Sequence, residues 1–311
     1  MRREKILTVT LNPCLDRALT VDALIPGATN RVLSSRVDAG GKGVNVSRLV
    51  REAGLQTHAL AISGGATGDR LSDILDASGV PHTFFPGEGE TRVNLKVLDV
   101  SGNMTEFNAP GAPAGDAAVL LMQALEAMLP NAAMVVLAGS VPPDLPSDIY
   151  AQMIRLAKEH DVPVLLDTSG AYLAAGAEAS PYAVKPNRTE FENWMRRPLP
   201  THDAIADAMR TAQQRGISFV TVSLGEEGAL FLHGDTTLYA PPLPVRAVCP
   251  AAAGDAMVAM FCFGYVHALS FEETARLMTA AGSLTAAQSG TQMASFPDIL
   301  RAASNVEIRR L

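Results

Sequence analysis

The chain has 311 residues, of which 48% are hydrophobic and 18% are charged, so it can bury a large core and is not a disordered chain. Its formal net charge of −7 argues against nucleic acid as a partner. The three cysteines lack metal-ligand spacing, which predicts free thiols in a reducing cytoplasm. No run approaches about 18 apolar residues, so neither a membrane span nor a membrane partner is expected. The basic N-terminus precedes an apolar run that is too short and too β-like for a signal peptide.

In the first third of the chain, predicted helices alternate irregularly with segments in which only strands are predicted. Alternation predicts strands at 6–11 and 57–62, and two helices, one opening at the glycine run 40–43 and one at 69–77. The glycine-rich segment 64–69 is predicted to be a tight strand-to-helix turn. Short strands are predicted at 20–22 and 31–33, and a hairpin at 91–100 and 104–107.

From residue 115 onwards strands and helices alternate regularly. Helices are predicted over 116–129, 148–160, 189–195, 204–215, 254–268, 271–287 and 297–304. Strands are predicted over 134–137, 162–167, 183–184 and 219–223, followed by a hairpin at 229–233 and 237–240. This alternation predicts an α/β fold with a mostly parallel sheet that is covered on both faces. The β-only segments 17–38 and 91–108 do not fit the alternation and are expected to form a small separate sheet.

The glycine run at the first helix start is a candidate ligand site. It lacks the spacing of a Walker A loop, and no dinucleotide fingerprint follows the first strand. Glycines let the backbone approach a ligand, while Lys42 offers a cation and Asn45 offers both a donor and an acceptor. A glycine turn with a solvated lysine explains the same pattern equally well.

The predicted strand at 91–100 carries a second candidate. Arg92, Asn94 and Lys96 alternate onto one face, which could hold a phosphate or hydroxyl groups. Asp16, just after the first strand, could bind sugar hydroxyls. The alternatives are a solvated face of an edge strand and an ordinary turn residue.

Two segments in the second half could bind a metal ion and a nucleotide, respectively. Asn187 and Glu190 lie three residues apart at a helix start, where they could hold a water-bound magnesium ion or simply cap the helix. Segment 223–229 follows a strand and suits close approach to a nucleotide, or is an ordinary hairpin turn. The six histidines are scattered, so a zinc enzyme or a triad hydrolase is poorly supported.

A further candidate is the small-residue turn 250–255, which ends in Gly254 and Asp255 and opens an apolar helix. Free N–H groups at a helix start suit an anion, and Asp255 could be a general base beside it. The alternative is an acidic residue that stabilises a buried helix through the helix dipole.

Together these segments resemble the PfkB branch of the ribokinase-like sugar kinases. The resemblance rests on LNPCLD (11–16), GGKGVNV (40–46), TRVNLK (91–96), AGSVPP (138–143), KPNRTE (185–190), SLG (223–225) and AGD (253–255). Seven motifs in the same order span nearly the whole chain. Within the family, the phosphosugar group of 1-phosphofructokinases is most similar, followed by tagatose-6-phosphate kinases.

The resemblance implies one ribokinase-like kinase domain over 1–311, a three-layer sandwich whose small β-sheet lid is formed by about 17–38 and 91–108. It implies ATP and Mg²⁺, with transfer of a phosphoryl group to a ketohexose phosphate, foremost fructose 1-phosphate. Asp255 would be the base, and the amides of Ala252, Ala253 and Gly254 would hold the developing charge. The implied substrate-binding residues are Asp16, Gly40, Gly41, Lys42, Asn45, Arg92 and Ser140. The implied ATP-binding residues are Lys185, Asn187, Ser223, Gly225, Gly228, Gly254 and Ser283, and the implied magnesium residues are Asn187 and Glu190, acting through water.

The loop before Asp255 departs from the family pattern, which usually reads Thr-Val-Gly-Ala-Gly-Asp. Pro250 removes an N–H group and a hydroxyl group, and Ala252 replaces a glycine. If position 252 needs a positive φ, alanine costs about 1 kcal/mol or more. The alternatives to an active 1-phosphofructokinase are therefore tagatose-6-phosphate or 6-phosphofructokinase activity, or a weakly active phosphosugar-binding protein. A homodimer through the exposed lid sheet is also expected.

Overall fold

The computed structural model describes residues 3–311, so Met1 and Arg2, at the start of the basic N-terminal run, lie outside the described residues. The strands are β1 (Lys5–Thr10), β2 (Cys14–Val21), β3 (Val32–Gly40), β4 (Thr57–Ser63), β5 (His82–Pro86), β6 (Arg92–Asp99), β7 (Met104–Phe107), β8 (Ala132–Ala138), β9 (Val164–Asp167), β10 (Ala183–Val184), β11 (Phe219–Ser223), β12 (Ala229–His233), β13 (Thr236–Ala240) and β14 (Arg309–Arg310). The helices are α1 (Lys42–Glu52), α2 (Gly65–Ala77), α3 (Ala117–Met128), α4 (Ile149–Glu159), α5 (Gly170–Glu178), α6 (Arg188–Met195), α7 (His202–Gln213), α8 (Ala253–Val266), α9 (Phe271–Ala286) and α10 (Phe296–Ala303).

The large sheet contains ten strands in the order β14-β13-β12-β11-β10-β9-β8-β1-β4-β5. From β11 to β5 all neighbouring strands are parallel. The remaining strands, β12 to β14, extend one edge in antiparallel pairs. The mostly parallel sheet predicted from the alternation of strands and helices is therefore confirmed, together with the hairpin formed by β12 and β13.

Helices cover both faces of this sheet because successive strand residues point in opposite directions. On β8, Val135 and Leu137 belong to a core that also contains buried residues of α3 to α7. Met134 and Val136 belong to the opposite core, with residues of α1, α8, α9 and α10. The predicted three-layer arrangement is confirmed. Within residues 3–311, no helix combines the length and the apolar character needed to cross a membrane.

The small sheet, which consists of β2, β3, β6 and β7, stands apart from the large one in the order β3-β2-β6-β7. The β2 and β6 strands are parallel, whereas the two outer pairs are antiparallel. Leu15 and Ala39 anchor this sheet on Leu71 and Leu75 of α2. A separate sheet was predicted, but β2 and β3 are longer than the short strands expected at 20–22 and 31–33, because they pair along almost their full length.

Four further elements differ from the predictions, and one of them is β14, a two-residue edge strand that was not predicted. The β5 strand was missed because it is a partly exposed edge strand ending in Pro86. The α5 helix was missed because its small residues give little helical periodicity. The α2 helix begins at Gly65 instead of residue 69, since the Glu90 carboxylate accepts hydrogen bonds from the N–H groups of Ala66 and Thr67.

Candidate functional site

A cavity of about 400 Å³ lies between the large and small sheets. The residues that follow the parallel strands β1, β8 and β9 line it, at the strand ends where open α/β sheets bind ligands. The first turns of α1 and α8 and the inner face of the small sheet complete the wall. The cavity brings together most of the predicted catalytic and substrate residues, namely Asp16, Gly41, Lys42, Asn45, Arg92, Ser140, Ala252 and Asp255, and one predicted magnesium residue, Glu190.

Asp255 lies in the first turn of α8, and only 5% of its surface is exposed. Its Oδ2 atom accepts a 2.8 Å hydrogen bond from Nδ2 of Asn45 on α1. Burial raises the pKa of Asp255 to about 6, while the nearby Lys42 ammonium opposes that rise and the carboxylate of Asp167 adds to it. A buried carboxylate with this pKa is ionised at neutral pH and able to accept a proton, which is what a general base requires.

Asp167 is a site residue that the sequence analysis missed. It ends β9 with 1% of its side chain exposed, and it forms ion pairs with Nζ of Lys42 at 2.9 Å and Nζ of Lys185 at 3.4 Å. Burial acts to raise the pKa of Asp167, but the two ammonium groups outweigh it and hold the pKa below its ordinary value. An acidic residue at the carboxyl end of a predicted buried strand was the available signal.

Lys42 is the first residue of α1 and keeps 35% of its side chain exposed to the cavity. Burial acts to lower its pKa, but the carboxylates of Asp167, Asp255 and Glu190 raise the pKa of Lys42 above its ordinary value. Lys42 therefore remains charged; it forms an ion pair with Asp167, and its charge also acts on the Asp255 carboxylate.

Arg92 is held by neutral oxygen atoms. Its Nη1 donates to the carbonyl of Ala109 at 2.9 Å, and its Nη2 donates to the carbonyl of Asn12 at 3.0 Å and to Oγ of Ser140 at 3.2 Å. No carboxylate within residues 3–311 forms an ion pair with it. The positive charge of Arg92 is thus uncompensated at the wall of the cavity, next to Ser140.

The inner face of the small sheet carries Asp16 on β2 and Asn94 and Lys96 on β6, all buried. Nζ of Lys96 lies 3.5 Å from Oδ2 of Asp16, and Nδ2 of Asn94 donates to Oδ1 of Asp16 at 3.4 Å. Gly40 lies on the neighbouring strand. A Cβ atom at Gly40 would come within 2.5 Å of Oδ2 of Asp16, so glycine is required there for close approach to this carboxylate.

Asn187 and Glu190 form a capping box at the start of α6. Oδ1 of Asn187 accepts from the Glu190 N–H at 2.9 Å, and Oε2 of Glu190 accepts from the Asn187 N–H at 2.8 Å. The capping alternative therefore describes their contacts, although Glu190 also lines the cavity. Among residues 3–311, no three His, Cys, Asp or Glu side chains are grouped to hold a metal ion. This donor set fits only a cation whose other ligands are water and substrate oxygens.

The residues predicted for the nucleotide lie beside this cavity and do not line it. Ser223 ends β11 and pairs with Asn187 in an isolated parallel bridge. Gly225 begins a short 3-10 turn with open space where a Cβ atom would be. At Gly228 a Cβ atom would collide with the carbonyl oxygen of Ala240, so this glycine allows the chain to pack against β13.

Ser283 and Lys185 approach the same region from two other elements. Ser283 is a buried residue of α9, and its Oγ accepts a 3.1 Å hydrogen bond from the N–H of Leu243. Lys185 follows β10 and points at the first turn of α8, where it lies close to Gly254. Motifs that are far apart in the sequence are therefore neighbours around the start of α8.

Ala252 adopts a left-handed conformation, with φ of 62° and ψ of −5°, immediately before α8. Ala253 and Gly254 are the first two helical residues. Position 252 thus has the positive φ for which the sequence analysis expected an energetic cost of alanine. A non-glycine residue in this region costs about 1–2 kcal/mol.

Comparisons with known proteins agree with the motifs. Residues 9–299 match the pfkB family carbohydrate kinase. The chain is 40% identical over 309 residues to the 1-phosphofructokinase of Xanthomonas campestris pv. campestris, with 96% of each chain covered. It is 30% identical over 308 residues to the 1-phosphofructokinase of Escherichia coli K12, with 98% of each chain covered.

A solved structure gives the same result for the fold. The crystal structure of phosphofructokinase-2 from Escherichia coli in complex with potassium matches with a TM-score of 0.92 and 30% identity, and the match covers 97% of this chain and 99% of the other. The expected ribokinase-like architecture is confirmed. With the family match, the full-length relatives and the fold in agreement, the chain belongs to the pfkB family of carbohydrate kinases.

Proposed function

We propose that this protein is an ATP-dependent 1-phosphofructokinase, which converts fructose 1-phosphate to fructose 1,6-bisphosphate. The observation that carries the proposal is the position of Asp255, buried at the start of α8, held by Asn45 and facing a cavity that contains an uncompensated arginine. The names of the two curated relatives support this substrate over tagatose 6-phosphate or fructose 6-phosphate.

In the proposed reaction, the C6 hydroxyl oxygen of the sugar phosphate attacks the γ-phosphorus of ATP. The bond between that phosphorus and the bridging oxygen breaks, and ADP leaves with the electron pair. Asp255 accepts the hydroxyl proton. The backbone amides of Ala252 and Gly254, at the N-terminal end of α8, stabilise the charge on the transferred group. The N–H of Ala253, which was expected to act with them, donates to the carbonyl of Pro250 at 3.2 Å.

The phosphosugar occupies the cavity in this proposal. Arg92 and Ser140 bind its phosphate group, because Arg92 is a cation whose protein partners are neutral oxygen atoms. Asp16, Asn45, Lys42 and the backbone of Gly40 and Gly41 bind the sugar portion. Each of these residues except Gly40 lines the cavity, and Gly40 packs against Asp16.

The nucleotide approaches from the other side of α8. Its phosphate groups lie near Lys185 and Gly254, and the rest of the nucleotide contacts Asn187, Ser223, Gly225, Gly228 and Ser283. A magnesium ion, when bound, would be held through water by Asn187 and Glu190. The ion, when bound, neutralises charge on the phosphates.

We further propose that the small sheet is the lid of a single kinase domain and that it pairs with a second copy. Its outer face exposes Val37, Val93 and Phe107, an apolar surface that a second lid could cover. The name of one solved relative, the tetrameric inhibited form of phosphofructokinase-2 from Escherichia coli, describes an assembly of that protein. Three free buried thiols support a cytoplasmic location.

The activity is tested with purified protein, ATP, magnesium and a panel of ketose phosphates and nucleosides. Fructose 1-phosphate should give the highest kcat/KM for ADP formation, and Asp255→Asn should reduce kcat by about 10²–10⁴-fold. Tight binding of fructose 1-phosphate without turnover would instead support the phosphosugar-binding alternative, for which the left-handed Ala252 is the structural reason. Absence of turnover on every ketose phosphate, or full activity of Asp255→Asn, would overturn the proposed activity.

A further inference from the structure

Lys96 is a buried cation whose hydrogen-bonding capacity is unused. Only 8% of its side chain is exposed, and its Nζ atom lines the cavity side of β6. Within residues 3–311, its one charged contact is Oδ2 of Asp16 at 3.5 Å, and it donates no hydrogen bond. An ammonium group has three N–H donors, and because the described part of the protein supplies no acceptor for those of Lys96, they are left for a group that enters the cavity.

The other cations of the cavity differ from Lys96 because they already donate hydrogen bonds to protein atoms. Lys42 donates a 2.9 Å hydrogen bond to Asp167, and the guanidinium group of Arg92 donates to carbonyl groups and to Ser140. Replacing a buried ion pair by apolar residues is often neutral or stabilising, so a pair like that of Lys96 and Asp16 is weak support for stability. Binding of a ligand that accepts hydrogen bonds from Lys96 explains the pair better than a contribution to stability does.

Lys96 and Arg92 should bind different chemical groups of the substrate, because the charges around the two cations differ. A phosphate group beside Lys96 would also face the Asp16 carboxylate and would be repelled by it. Arg92 has no carboxylate partner within the described residues, so the phosphate group belongs at Arg92. Glu106 lies opposite Lys96 in the register of β6 and β7 and adds a second negative charge near Lys96, although no ion pair joins the two.

A sugar hydroxyl matches the Lys96 and Asp16 pair. A hydroxyl group both accepts and donates, whereas an ammonium group only donates and a carboxylate only accepts. Two such partners 3.5 Å apart can contact one hydroxyl group, or two adjacent ones, from both sides. Asn94 holds the other oxygen of Asp16 and so fixes the carboxylate on the inner face.

We infer that Lys96 is a specificity-determining residue, which together with Asp16 recognises a ring hydroxyl of the ketose phosphate and selects among its isomers. This inference rests on the proposed function, because it assigns a substrate contact in the same cavity. A site built to bond a hydroxyl rejects analogues that lack it, since its buried polar groups are then left unpaired.

The test measures dissociation constants by calorimetry for fructose 1-phosphate and for its 3-deoxy and 4-deoxy analogues. The wild-type protein should bind at least one deoxy analogue about 10- to 100-fold more weakly, as expected for a hydrogen bond to a charged group. In Lys96→Met this preference should fall to less than about threefold, while the affinity for ATP changes by less than about twofold. Lys5→Met, at the start of β1 and so at the opposite end of this strand from the cavity, is the matched control and should keep the wild-type preference.

A Lys96→Met protein that discriminates against the deoxy analogues as strongly as the wild type would overturn the inference, as would a wild-type protein that does not discriminate. If Lys96→Met does not fold, the double variant Asp16→Asn/Lys96→Met buries no unpaired charge, and it must lose the same preference. A wild-type chain that binds fructose 1-phosphate but does not phosphorylate it would contradict the proposed activity and not this inference. A wild-type chain that does not bind it would overturn both.

Discussion

Lys185 lies directly against Gly254: a Cβ atom built on Gly254 would be 2.9 Å from Nζ of Lys185. The ammonium group of Lys185 also pairs with Asp167, so this contact joins the start of α8 to the end of β9. A side chain at the position before Asp255 would therefore displace the end of the Lys185 side chain.

The first prediction concerns Gly254→Ala. The new methyl group would push Lys185 away from α8, and a misplacement of about 1 Å near the reacting atoms can cost on the order of 10²-fold in rate. Stability should change little, since alanine favours a helix over glycine by about 0.5–1 kcal/mol. Steady-state kinetics and urea unfolding separate the two effects. Unchanged kcat would show that Lys185 does not act at this position.

The second prediction is a pH limb that belongs to Asp255. Its pKa of about 6 in the folded protein means that the base is protonated below that pH, so kcat/KM should fall tenfold per pH unit on the acid side and level off above it. The phosphate group of the substrate titrates in a similar range. Asn45→Ala removes a hydrogen bond that favours the charged carboxylate, so the limb should move to higher pH. If the acid limb of kcat/KM lies at the same pH in Asn45→Ala as in the wild type, the limb belongs to the phosphate group of the substrate.

The third prediction uses two alanines in left-handed conformations on either side of α8, Ala252 with φ of 62° and Ala268 with φ of 52°. Replacing either by glycine should stabilise the protein by about 0.5–1 kcal/mol, because the relief of strain exceeds the extra entropy of the unfolded chain. Only Ala252→Gly should also change kcat, since Ala268 is exposed at the far end of the helix. Thermal unfolding and kinetics of both variants check this. Equal kinetic effects in the two would exclude a specific role for residue 252.

The fourth prediction concerns Asp167→Asn. Removing this buried charge leaves Lys42 and Lys185 without their shared partner, which should destabilise the protein by about 3–5 kcal/mol and sharply reduce kcat. Asp207→Asn is the matched control, because Asp207 pairs with Arg210 at 2.8 Å on an exposed helix face, where a pair contributes about 0–1 kcal/mol. Denaturant unfolding compares the two variants. If both variants lose a similar free energy of unfolding, the ion pairs of Asp167 with the two lysines contribute no more to stability than an exposed pair does.

The fifth prediction concerns the assembly. Phe107 is 51% exposed on the outer face of the small sheet, near Val93 on the neighbouring strand, so Phe107→Glu should place a charge in the proposed lid interface and shift the protein from dimer to monomer. Sedimentation velocity at micromolar concentration measures the change. Leu300→Glu, at an apolar residue of α10 that is 44% exposed, should leave the dimer intact. A monomeric wild-type protein would rule out the lid dimer.

The sequence indicated Asp255, Asn45 and Arg92 because glycine runs and polar residues at element boundaries mark places where a backbone can approach a ligand. It did not indicate their contacts. Arg92 was predicted to hold a phosphate or hydroxyl group on a strand face, and the sequence did not indicate that its donors also bind carbonyl groups and Ser140. Asn187 and Glu190 were assigned either to magnesium or to a helix cap, and their hydrogen bonds are those of a cap.

By itself, the sequence determined the α/β class, the separate small sheet and the family, because hydrophobic periodicity and motif order are local properties of the chain. The tertiary structure alone decided that Asp167 lies between Lys42 and Lys185, that Lys96 pairs with Asp16, and that Asn45 reaches Asp255. The physical reason is that charges attract and repel through space. Partners 125 and 210 positions apart, such as Lys42 with Asp167 and Asn45 with Asp255, meet only when the strands have been ordered in the sheet.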